Sequence, residues 1–487
     1  MKDTQDTIKR VMVVFSFLLL ALITYIAYFQ AFKAPAIAEM SENKRLWAER
    51  NKVLRGTIYD RNNVALTEGK RTGTLTQDRK YVYGSLYAQV LGYSSEKYGL
   101  TGLENSYDKR LRSYDKISYS INEILDSLNI LDIFKNRTSE GESMVGNSLV
   151  TSLDTNLQKA AYDALGTNKG AVVVINPKTG EVIASVSKPS YDPNNLDEVM
   201  KVANSGEGAG FPLINRVSAG MYPPGSTFKV ITLNSALENI PGVTSRTFQD
   251  NGKIVFPDGT ALWNLDHNVY GALSLKSALA VSSNVVFGTL ALELGNDKLK
   301  ATAENFGFNK TLPSDGIVFN KSSFPTLKSN EKGSIAQTGI GQSLILASPL
   351  QMALVASAVA NNGVMMEPKL VNKVVDKNGK VVEEIAPKQI AQPITSDNDA
   401  IIKEYMKNLV DGRINRDWGV FKGLNAGGKT GTAETSDPNA NPHSWFIGFA
   451  PAENPQYAIA VIVENGGAGG GIAAQIAGSV LRTAMGK

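Results

Sequence analysis

Residues Tyr222–Lys229 read YPPGSTFK, and this stretch says more about the fold than any other part of the 487-residue chain. A stiff Pro-Pro-Gly turn leads into a Ser-x-x-Lys sequence, which continues into the mostly apolar segment Val230–Leu233. Side chains three residues apart on a helix are neighbours, so this spacing places Ser226 beside Lys229. A lysine buried in an apolar helix has a lowered pKa and can serve as a base. We therefore predict that Ser226 is a nucleophile activated by Lys229.

The Ser-x-x-Lys spacing is weak evidence by itself, because chance alone can supply it in this chain. Only the copy at Ser226 follows a stiff turn and leads into an apolar helix. The context therefore selects this copy over the others, which are Ser41/Lys44, Ser94/Lys97, Ser106/Lys109, Ser113/Lys116, Ser185/Lys188 and Ser329/Lys332.

A second polar motif should face the nucleophile and its base, and residues Val281–Val285 (VSSNV) provide one. Ser282 and Asn284 lie within an otherwise apolar stretch, which we interpret as helical with both side chains buried. Buried polar groups need hydrogen-bond partners, and Lys229 is the partner that we expect.

The third motif is at Gly427–Ala433, which read GGKTGTA. A Lys-Thr-Gly strand can hold a substrate carboxylate, and Lys429 is the cation that would do so. The glycines around it let another backbone approach closely, as a bound peptide strand must. The three motifs occur in the order Ser226, Ser282, Lys429, and together they predict a serine acyltransferase without a histidine base.

Three other segments imitate functional motifs. Ser396–Asn398 (SDN) precedes a helical run and is followed by Asp399, so we interpret Ser396 as a helix N-cap. Lys178–Gly180 (KTG) lies before the nucleophile at a hairpin turn, where these residues need no function. Gly466–Gly471 resembles a phosphate loop, but no Gly-Lys-Ser/Thr follows and too little chain remains for a complete dinucleotide-binding unit.

The composition excludes several classes of protein. With 43% hydrophobic and 20% charged residues the chain can bury large cores, and the net charge of +4 comes from scattered Lys and Arg, so no nucleic-acid-binding surface is indicated. There is no cysteine, which excludes disulfides and thiolate metal sites. His267 and His443 are the two histidines. We therefore expect neither a metal nor a cofactor.

An apolar run from Val11 to Phe32 has the length that a helix needs to cross a bilayer. Lys2, Lys9 and Arg10 precede it, and positive charge is retained on the cytoplasmic side. We therefore predict a single-pass membrane protein whose remaining chain is extracytoplasmic. Cleavage after a signal peptide, near the small residues Ala36–Ala38, is the alternative.

The predicted secondary structure of the remaining chain changes near residue 150. The polar N-terminal part predicts short strands at Val53–Tyr59 and Tyr81–Gln89 and a helix at Leu103–Arg112. The following part predicts an α/β (α+β) domain, in which a helical subdomain is inserted into a central antiparallel sheet. Its expected elements are a helix at Asp154–Leu165, a hairpin of Ala171–Asn176 and Glu181–Ser187, helices over Thr227–Phe306, strands at Trp445–Ala450 and Tyr457–Glu464, and a closing helix at Gly471–Met485. The predicted divisions are 1–10 (cytoplasmic tail), 11–32 (anchor), 33–150 (a small mixed α/β module) and 151–487 (the catalytic domain).

These motifs together resemble those of the class B penicillin-binding proteins, and the resemblance extends along nearly the whole chain. It implies an N-terminal penicillin-binding dimerisation module, or pedestal, before a serine transpeptidase domain with a β-lactamase-like fold. The pedestal is short for division- or elongation-type members of this family, and it is too short for the glycosyltransferase of the bifunctional class A proteins. The further segments that carry the resemblance are Arg55–Asn62 (RGTIYDRN), Gly102–Glu104 (GLE), Leu153–Gln158 (LDTNLQ), Asn215–Arg216 (NR), Gly339–Gln342 (GIGQ) and Ser348–Ala353 (SPLQMA).

The resemblance implies a peptidoglycan D,D-transpeptidase that forms an acyl-enzyme. Ser226 would attack the carbonyl between the two terminal D-alanines of a donor stem peptide, with Lys229 as general base. Ser282 would pass a proton to the leaving amine, and Asn284 would hold Lys229 and the substrate amide. An acceptor amine would then resolve the ester.

The same resemblance assigns the third motif to substrate binding. Lys429, Thr430 and Thr432 would bind the terminal carboxylate, and Gly431 lies between the two threonines. The backbone N–H groups of Ser226 and Thr432 would form the oxyanion hole.

The implied partners are peptidoglycan stem peptides, lipid-linked nascent glycan and, as covalent inhibitors, β-lactams. Glycan polymerisation would fall to a separate membrane glycosyltransferase of the shape, elongation, division and sporulation family. The alternatives are a serine β-lactamase or β-lactam sensor, a D,D-carboxypeptidase, and a non-catalytic scaffold that activates such a glycosyltransferase. A class A β-lactamase also needs a deacylating glutamate, and Glu293 is too close to Asn284 in the chain to serve.

Overall fold

The structure is a computed structural model, and it describes residues 2–34, 44–114, 144–205, 210–435, 437 and 439–487. The chain has the mixed α/β composition that the sequence predicts. A long N-terminal helix is followed by a region of short helices and strands and then by a larger region with a five-stranded sheet.

The N-terminal helix α1 spans Lys2–Tyr28 and continues as a π-helical turn, Phe29–Lys33. Among the described residues, the segment Thr7–Lys33 is the one helix long and apolar enough to cross a membrane, and none of its most apolar window is buried. The helix predicted over residues 11–32 is therefore confirmed. The small residues Ala36–Ala38 lie outside the described residues.

Short elements make up the N-terminal module, and a buried ion cluster joins two of its sequence motifs. Arg55 Nε donates to Glu104 Oε2 at 2.5 Å, and Arg79 Nε donates to Glu104 Oε1 at 2.7 Å. Burial alone would raise the pKa of Glu104, but Arg79 and Arg55 hold it below its ordinary value. The elements are α2 (Lys44–Asn51), β1 (Ile58–Tyr59), β2 (Thr67–Gly73), β3 (Thr76–Tyr81), α3 (Ala88–Leu91), β4 (Ser94–Ser95), β5 (Gly99–Leu100), α4 (Gly102–Ser106) and α5 (Asp108–Leu111).

The two strands predicted in this module are largely wrong. The strand predicted at Val53–Tyr59 is reduced to β1. Residues Tyr81–Gln89 do not form the second predicted strand, because β3 ends at Tyr81. Gly84 has a φ of +49°, which turns the chain into a 3-10 helix, and α3 follows. The predicted helix at Leu103–Arg112 is present as α4 and α5, which are separated at Tyr107.

The larger region begins with the strand Ser148–Thr151, which pairs with β1 of the N-terminal module. Asp154 caps the first helix, because its carboxylate accepts a hydrogen bond from Leu157 N at 3.0 Å. The elements are β6 (Ser148–Thr151), α6 (Thr155–Leu165), β7 (Gly170–Ile175), β8 (Val182–Lys188), α7 (Leu196–Asn204), α8 (Lys229–Asn239), β9 (Thr247–Asp250), β10 (Lys253–Val255), β11 (Ala261–Trp263), β12 (Gly271–Ser274), α9 (Leu275–Val281), α10 (Asn284–Asn305), α11 (Lys332–Thr338), α12 (Pro349–Ala360), β13 (Met365–Met366), β14 (Val371–Val375), β15 (Val381–Glu384), β16 (Gln389–Ala391), α13 (Ser396–Leu409), α14 (Asn415–Asp417), β17 (Gly427–Ala433), β18 (His443–Ala450), β19 (Tyr457–Val463) and α15 (Gly471–Ala484).

The central sheet is antiparallel throughout, with the strand order β17-β18-β19-β7-β8. Helix α12 covers one face, and α6 and α15 cover the other. Every residue of α12 is buried, which is why this helix is apolar all round. The predicted β7–β8 hairpin, the strands β18 and β19 and the closing helix α15 are confirmed. Strand β17 lies at the edge of the sheet and, among the described residues, pairs only with β18.

The helical prediction over Thr227–Phe306 is only partly right. Helices α8, α9 and α10 are present, but residues 247–274 form the antiparallel strand pairs β9–β12 and β10–β11. The dipeptides Asn251-Gly252 and Asp258-Gly259 mark turns here, and both glycines have positive φ angles, +86° and +83°.

A second sheet combines strands from both sides of the predicted boundary at residue 150. Its order is β1-β6-β14-β15, with β1 and β6 parallel. Because β6 spans Ser148–Thr151, the predicted boundary falls inside a strand. The division into domains stays a prediction.

Candidate active site

The nucleophile turn is held against the edge strand of the central sheet. Residues Gly225–Phe228 form a 3-10 turn that leads into α8 and contains the half-buried Ser226. Gly225 N donates to Gly341 O at 2.9 Å. Gly225 has a φ of +53°, and a Cβ there would lie 2.3 Å from Thr432 O. Only glycine therefore lets this turn approach β17 so closely.

Lys229 is completely buried at the start of α8. Its Nζ atom donates to Ser282 O at 2.7 Å, to Asn284 Oδ1 at 2.8 Å and to Ser282 Oγ at 3.2 Å. Desolvation, and then the nearby charges of Lys429 and Arg413, hold the pKa of Lys229 well below its ordinary value. Among the described residues Ser226 Oγ has no hydrogen-bond partner, and such catalytic bonds often tighten only when substrate is bound.

The second motif brings Ser282 and Asn284 to Lys229, but not within a continuous helix. Ser282 adopts a left-handed conformation (φ +62°) that ends α9, and Ser283 caps α10 by accepting from Val286 N at 3.0 Å. Ser282 and Asn284 are half-buried, and Ser283 is the fully buried residue. The predicted partner is confirmed, whereas the single continuous helix and the full burial of both side chains are wrong.

A buried polar network that the sequence did not reveal supports this motif. Asp250 accepts from Ser283 Oγ at 2.5 Å and from Asn264 Nδ2 at 2.8 Å. Asn264 Oδ1 in turn accepts from Asn284 N at 2.8 Å, and Asn284 Nδ2 donates to Trp263 O at 2.7 Å. These partners lie in the hairpin strands β9 and β11 or just after them, and no local pattern marks them.

The third motif completes the site from β17. Lys429 is fully buried, and its Nζ atom donates to Ser282 Oγ at 2.9 Å and to Thr430 O at 2.8 Å. Desolvation, and then the charge of Arg413, hold its pKa well below the ordinary value. A Cβ on Gly431 would lie 2.9 Å from Thr227 Cγ2, so β17 packs tightly against the nucleophile turn. Three segments that are distant in sequence thus meet around one hydroxyl oxygen, Ser282 Oγ.

One of the imitating segments borders the site, because a Cβ on Gly470 would lie 2.7 Å from Thr430 Cβ. Lys178–Gly180 forms the β7–β8 turn, and the residues Gly466–Gly471 connect β19 to α15, as interpreted from the sequence. Ser396 is not a cap, however: Thr395 caps α13 by accepting from Asn398 N at 3.3 Å. Glu293 pairs with Arg246 at 2.9 Å and is 40% exposed.

One histidine makes a ring contact, and the other accepts a hydrogen bond from the backbone. His267 packs edge-on against Trp263, and His443 Nδ1 accepts from Asn465 N at 3.1 Å. Within the described ranges, no cluster of three or more histidine or acidic side chains is arranged to hold a metal ion.

Comparison with known proteins supports the family resemblance that the sequence motifs indicate. Residues 170–482 match the penicillin-binding protein transpeptidase domain, and residues 55–143 match the penicillin-binding protein A dimerisation domain. The peptidoglycan D,D-transpeptidase PbpA of Mycolicibacterium smegmatis is 32% identical over 505 residues, covering 98% of this chain and 99% of that protein. The peptidoglycan D,D-transpeptidase MrdA of Salmonella typhimurium is 29% identical, covering 83% and 72%.

Solved structures agree with this assignment. Penicillin-binding protein A from Mycobacterium tuberculosis, as an imipenem acyl-enzyme complex, superposes with a TM-score of 0.79 at 29% identity and covers 90% of this chain and 100% of that chain. The D,D-transpeptidase domain of a peptidoglycan glycosyltransferase from Eggerthella lenta has a TM-score of 0.77 at 30% identity, with 89% and 99% covered. The chain therefore belongs to the class B penicillin-binding proteins.

Proposed function

We propose that this protein crosslinks peptidoglycan stem peptides as a D,D-transpeptidase, through an acyl-enzyme at Ser226. The observation that carries the proposal is the contact of both buried lysines, Lys229 and Lys429, with the same Ser282 Oγ. While Lys229 is neutral, its two N–H groups serve Ser282 O and Asn284 Oδ1, and its lone pair remains to accept a proton. Once Lys229 is an ammonium, its third N–H reaches Ser282 Oγ, and the O–H of Ser282 remains for a substrate nitrogen. The relatives named peptidoglycan D,D-transpeptidase support the choice of substrate.

Acylation begins with proton transfer from Ser226 Oγ to the neutral amine of Lys229. The serine oxygen forms a bond to the carbonyl carbon between the two terminal D-alanines, and the negative charge develops on the carbonyl oxygen. The backbone N–H groups of Ser226 and Thr432 stabilise that oxyanion, a contribution of about 3 to 4 kcal/mol per donor. The closeness of Gly225 to Thr432 O supports this arrangement.

Breakdown of the tetrahedral intermediate requires a proton on the leaving nitrogen. Ser282 donates its hydroxyl proton to that nitrogen and is reprotonated by the ammonium of Lys229, with which it is in contact. The carbon–nitrogen bond breaks, D-alanine leaves and the ester at Ser226 remains. Asn284 holds Lys229 during these steps. An acceptor amine then attacks the ester, an amide forms, and Ser226 recovers its proton.

The persistence of the acyl-enzyme separates this function from that of a β-lactamase. Glu293 is paired with Arg246 on the surface, so it is not a buried deacylating base. We expect fluorescent penicillin to label the purified full-length protein and to remain attached for much longer than the labelling reaction takes. Rapid turnover of the label would instead indicate a β-lactamase. A donor and an acceptor stem peptide together should give a crosslinked product, whereas a carboxypeptidase would give only the shortened donor.

Lys429 is predicted to recognise the terminal carboxylate of the substrate. A carboxylate that arrives beside its amine favours the ammonium form and makes a charge-assisted hydrogen bond. Lys429→Ala should therefore slow acylation by benzylpenicillin roughly ten- to hundredfold, the range expected for a hydrogen bond to a charged group. Benzylpenicillin methyl ester, measured in parallel, should be affected much less. An equal loss with the ester would refute the carboxylate role.

Ser282 and Thr395 are predicted to affect different properties. Ser282→Ala should slow acylation roughly 10²-fold, because proton transfer is typically worth this much, with little change in melting temperature. Thr395→Ala should leave acylation near wild type and lower stability by about 1 kcal/mol, because it removes the cap of α13. Ser396→Ala is the matched control and should change neither property. Normal acylation in Ser282→Ala, or a loss of acylation in Ser396→Ala, would contradict the assignment.

The anchor is proposed to place the enzyme where glycan is made. Lys2, Lys9 and Arg10 precede the apolar run Val11–Phe32, which supports a cytoplasmic N-terminus and an extracytoplasmic catalytic domain. We propose by analogy that the anchor and the N-terminal module dock a membrane glycosyltransferase of the shape, elongation, division and sporulation family. Replacing residues 11–32 by an unrelated transmembrane helix should abolish co-purification of such a partner, while Ser226→Ala should retain it. A replaced anchor that still recovers the partner would refute docking through the anchor.

A further inference from the structure

Arg413 is a cation at the active site to which no motif assigns a role. It lies in the π-helical turn Val410–Ile414 that follows α13, and this turn packs against both α9 and β17. Its Nη1 atom donates to Val281 O at 3.4 Å, directly before Ser282, and its Nε atom is 3.8 Å from Asp417 Oδ2. Single π-turns occur frequently at functional sites, because they redirect one side chain out of the helical pattern.

Arg413 differs from the two lysines in hydration and charge. Lys229 and Lys429 are completely buried, and their amines already bond protein atoms. The side chain of Arg413 is 30% exposed, and across the described ranges its Nη2 atom bonds no protein atom. A guanidinium also stays charged at any physiological pH and offers paired donors to a carboxylate.

The acidic groups near this cluster compensate only part of its positive charge. Asp250 faces Lys229, but it is occupied by Ser283 and Asn264. Asp417 is 32% exposed and also pairs with Arg416 at 2.9 Å. The free site thus carries a permanent positive charge at the end where Ser282 and Lys429 meet.

We propose that Arg413 is a specificity-determining residue. It attracts the terminal carboxylate of the donor peptide to the free enzyme, before Lys429 and Thr430 bind that carboxylate. The inference rests on the proposed function, because it assumes a substrate with a terminal carboxylate. Arg413 and Lys429 then act at different stages of binding. Arg413 acts through long-range attraction before the complex forms, and Lys429 acts by a direct hydrogen bond within it.

The test measures acylation of the full-length protein by benzylpenicillin and by its methyl ester at several ionic strengths. For Arg413→Gln we expect the second-order rate constant with benzylpenicillin to fall roughly tenfold at low salt and to depend less on ionic strength. The limiting rate at saturation and the reaction with the ester should stay near wild type. Arg413→Lys should restore the salt dependence. Lys422→Gln removes an equal charge from an exposed residue that does not pair with Asp417, and it should behave as wild type.

Rates must be compared on the plateau of each pH profile, because losing a nearby cation raises the pKa of Lys229. Unchanged rate and salt dependence in Arg413→Gln would overturn the inference. An equal loss with the ester would also overturn it, since that result indicates a structural role through Val281. If wild-type protein is not acylated at Ser226, the proposed function itself fails, and this outcome is distinct from the other two.

Discussion

Ser226→Ala is expected to abolish covalent labelling by β-lactams while the protein remains folded. The serine oxygen is the atom that forms the ester, whereas the other hydroxyl beside Lys229, Ser282 Oγ, is in contact with both buried lysines. Removing the nucleophile of a serine protease lowers turnover by roughly 10⁶-fold. Time-resolved labelling with fluorescent penicillin, together with a thermal melt, measures both parts of the prediction.

The matched control is Ser329→Ala. Ser329 has the same spacing to a lysine, Lys332, but it is exposed and lies far from the three motifs in sequence. This variant should label as rapidly as wild type. Substantial labelling of Ser226→Ala, or loss of labelling in Ser329→Ala, would remove the basis for the nucleophile.

Lys229→Met is expected to lower the acylation rate roughly 10²- to 10⁴-fold, which is the range for loss of a general base. Methionine fills a similar volume in the buried pocket, so the backbone of α8 should be retained. Lys369→Met is the control, because Lys369 is also buried but bonds Ile385 O, outside the motif residues. A comparable loss of acylation in both variants would mean that the effect is structural.

The pH profile of the wild-type enzyme tests the same base. Desolvation and neighbouring cations lower the pKa of Lys229 well below 10.5, so the neutral amine persists at a pH where an ordinary lysine is charged. As the pH falls through this lowered pKa, the amine becomes protonated and cannot accept the serine proton. Acylation should therefore decline on the acid side, at a pH far below 10.5. An acid limb near the ordinary lysine value would contradict a neutral Lys229.

The sequence predicts the contacts between motifs better than the local shape of each motif. Lys229, Ser282 and Lys429 meet as expected, because their chemistry requires a shared site. The left-handed conformation of Ser282 was not predictable, since glycine or asparagine normally ends a helix in this way. The cap of α13 was misplaced by one residue, because Thr395 and Ser396 are both good caps and only geometry selects between them.

The supporting groups escaped prediction for a different reason. Asp250 and Asn264 reach the second motif through hairpins that were interpreted as helix, and their contacts span 33 and 20 residues. Arg413 reaches it through a π-turn, which has no sequence pattern of its own. Long-range polar contacts of this kind depend on the complete fold, whereas strands such as β18 and β19 are evident from local apolar runs.

One measurement tests the central claim most directly: mass spectrometry of the wild-type protein after reaction with benzylpenicillin. The account predicts a single adduct of one penicillin per chain, which persists through proteolysis and maps to the peptide that contains Ser226. An adduct on any other residue, or a protein that gains no mass under conditions where it stays folded, would contradict it.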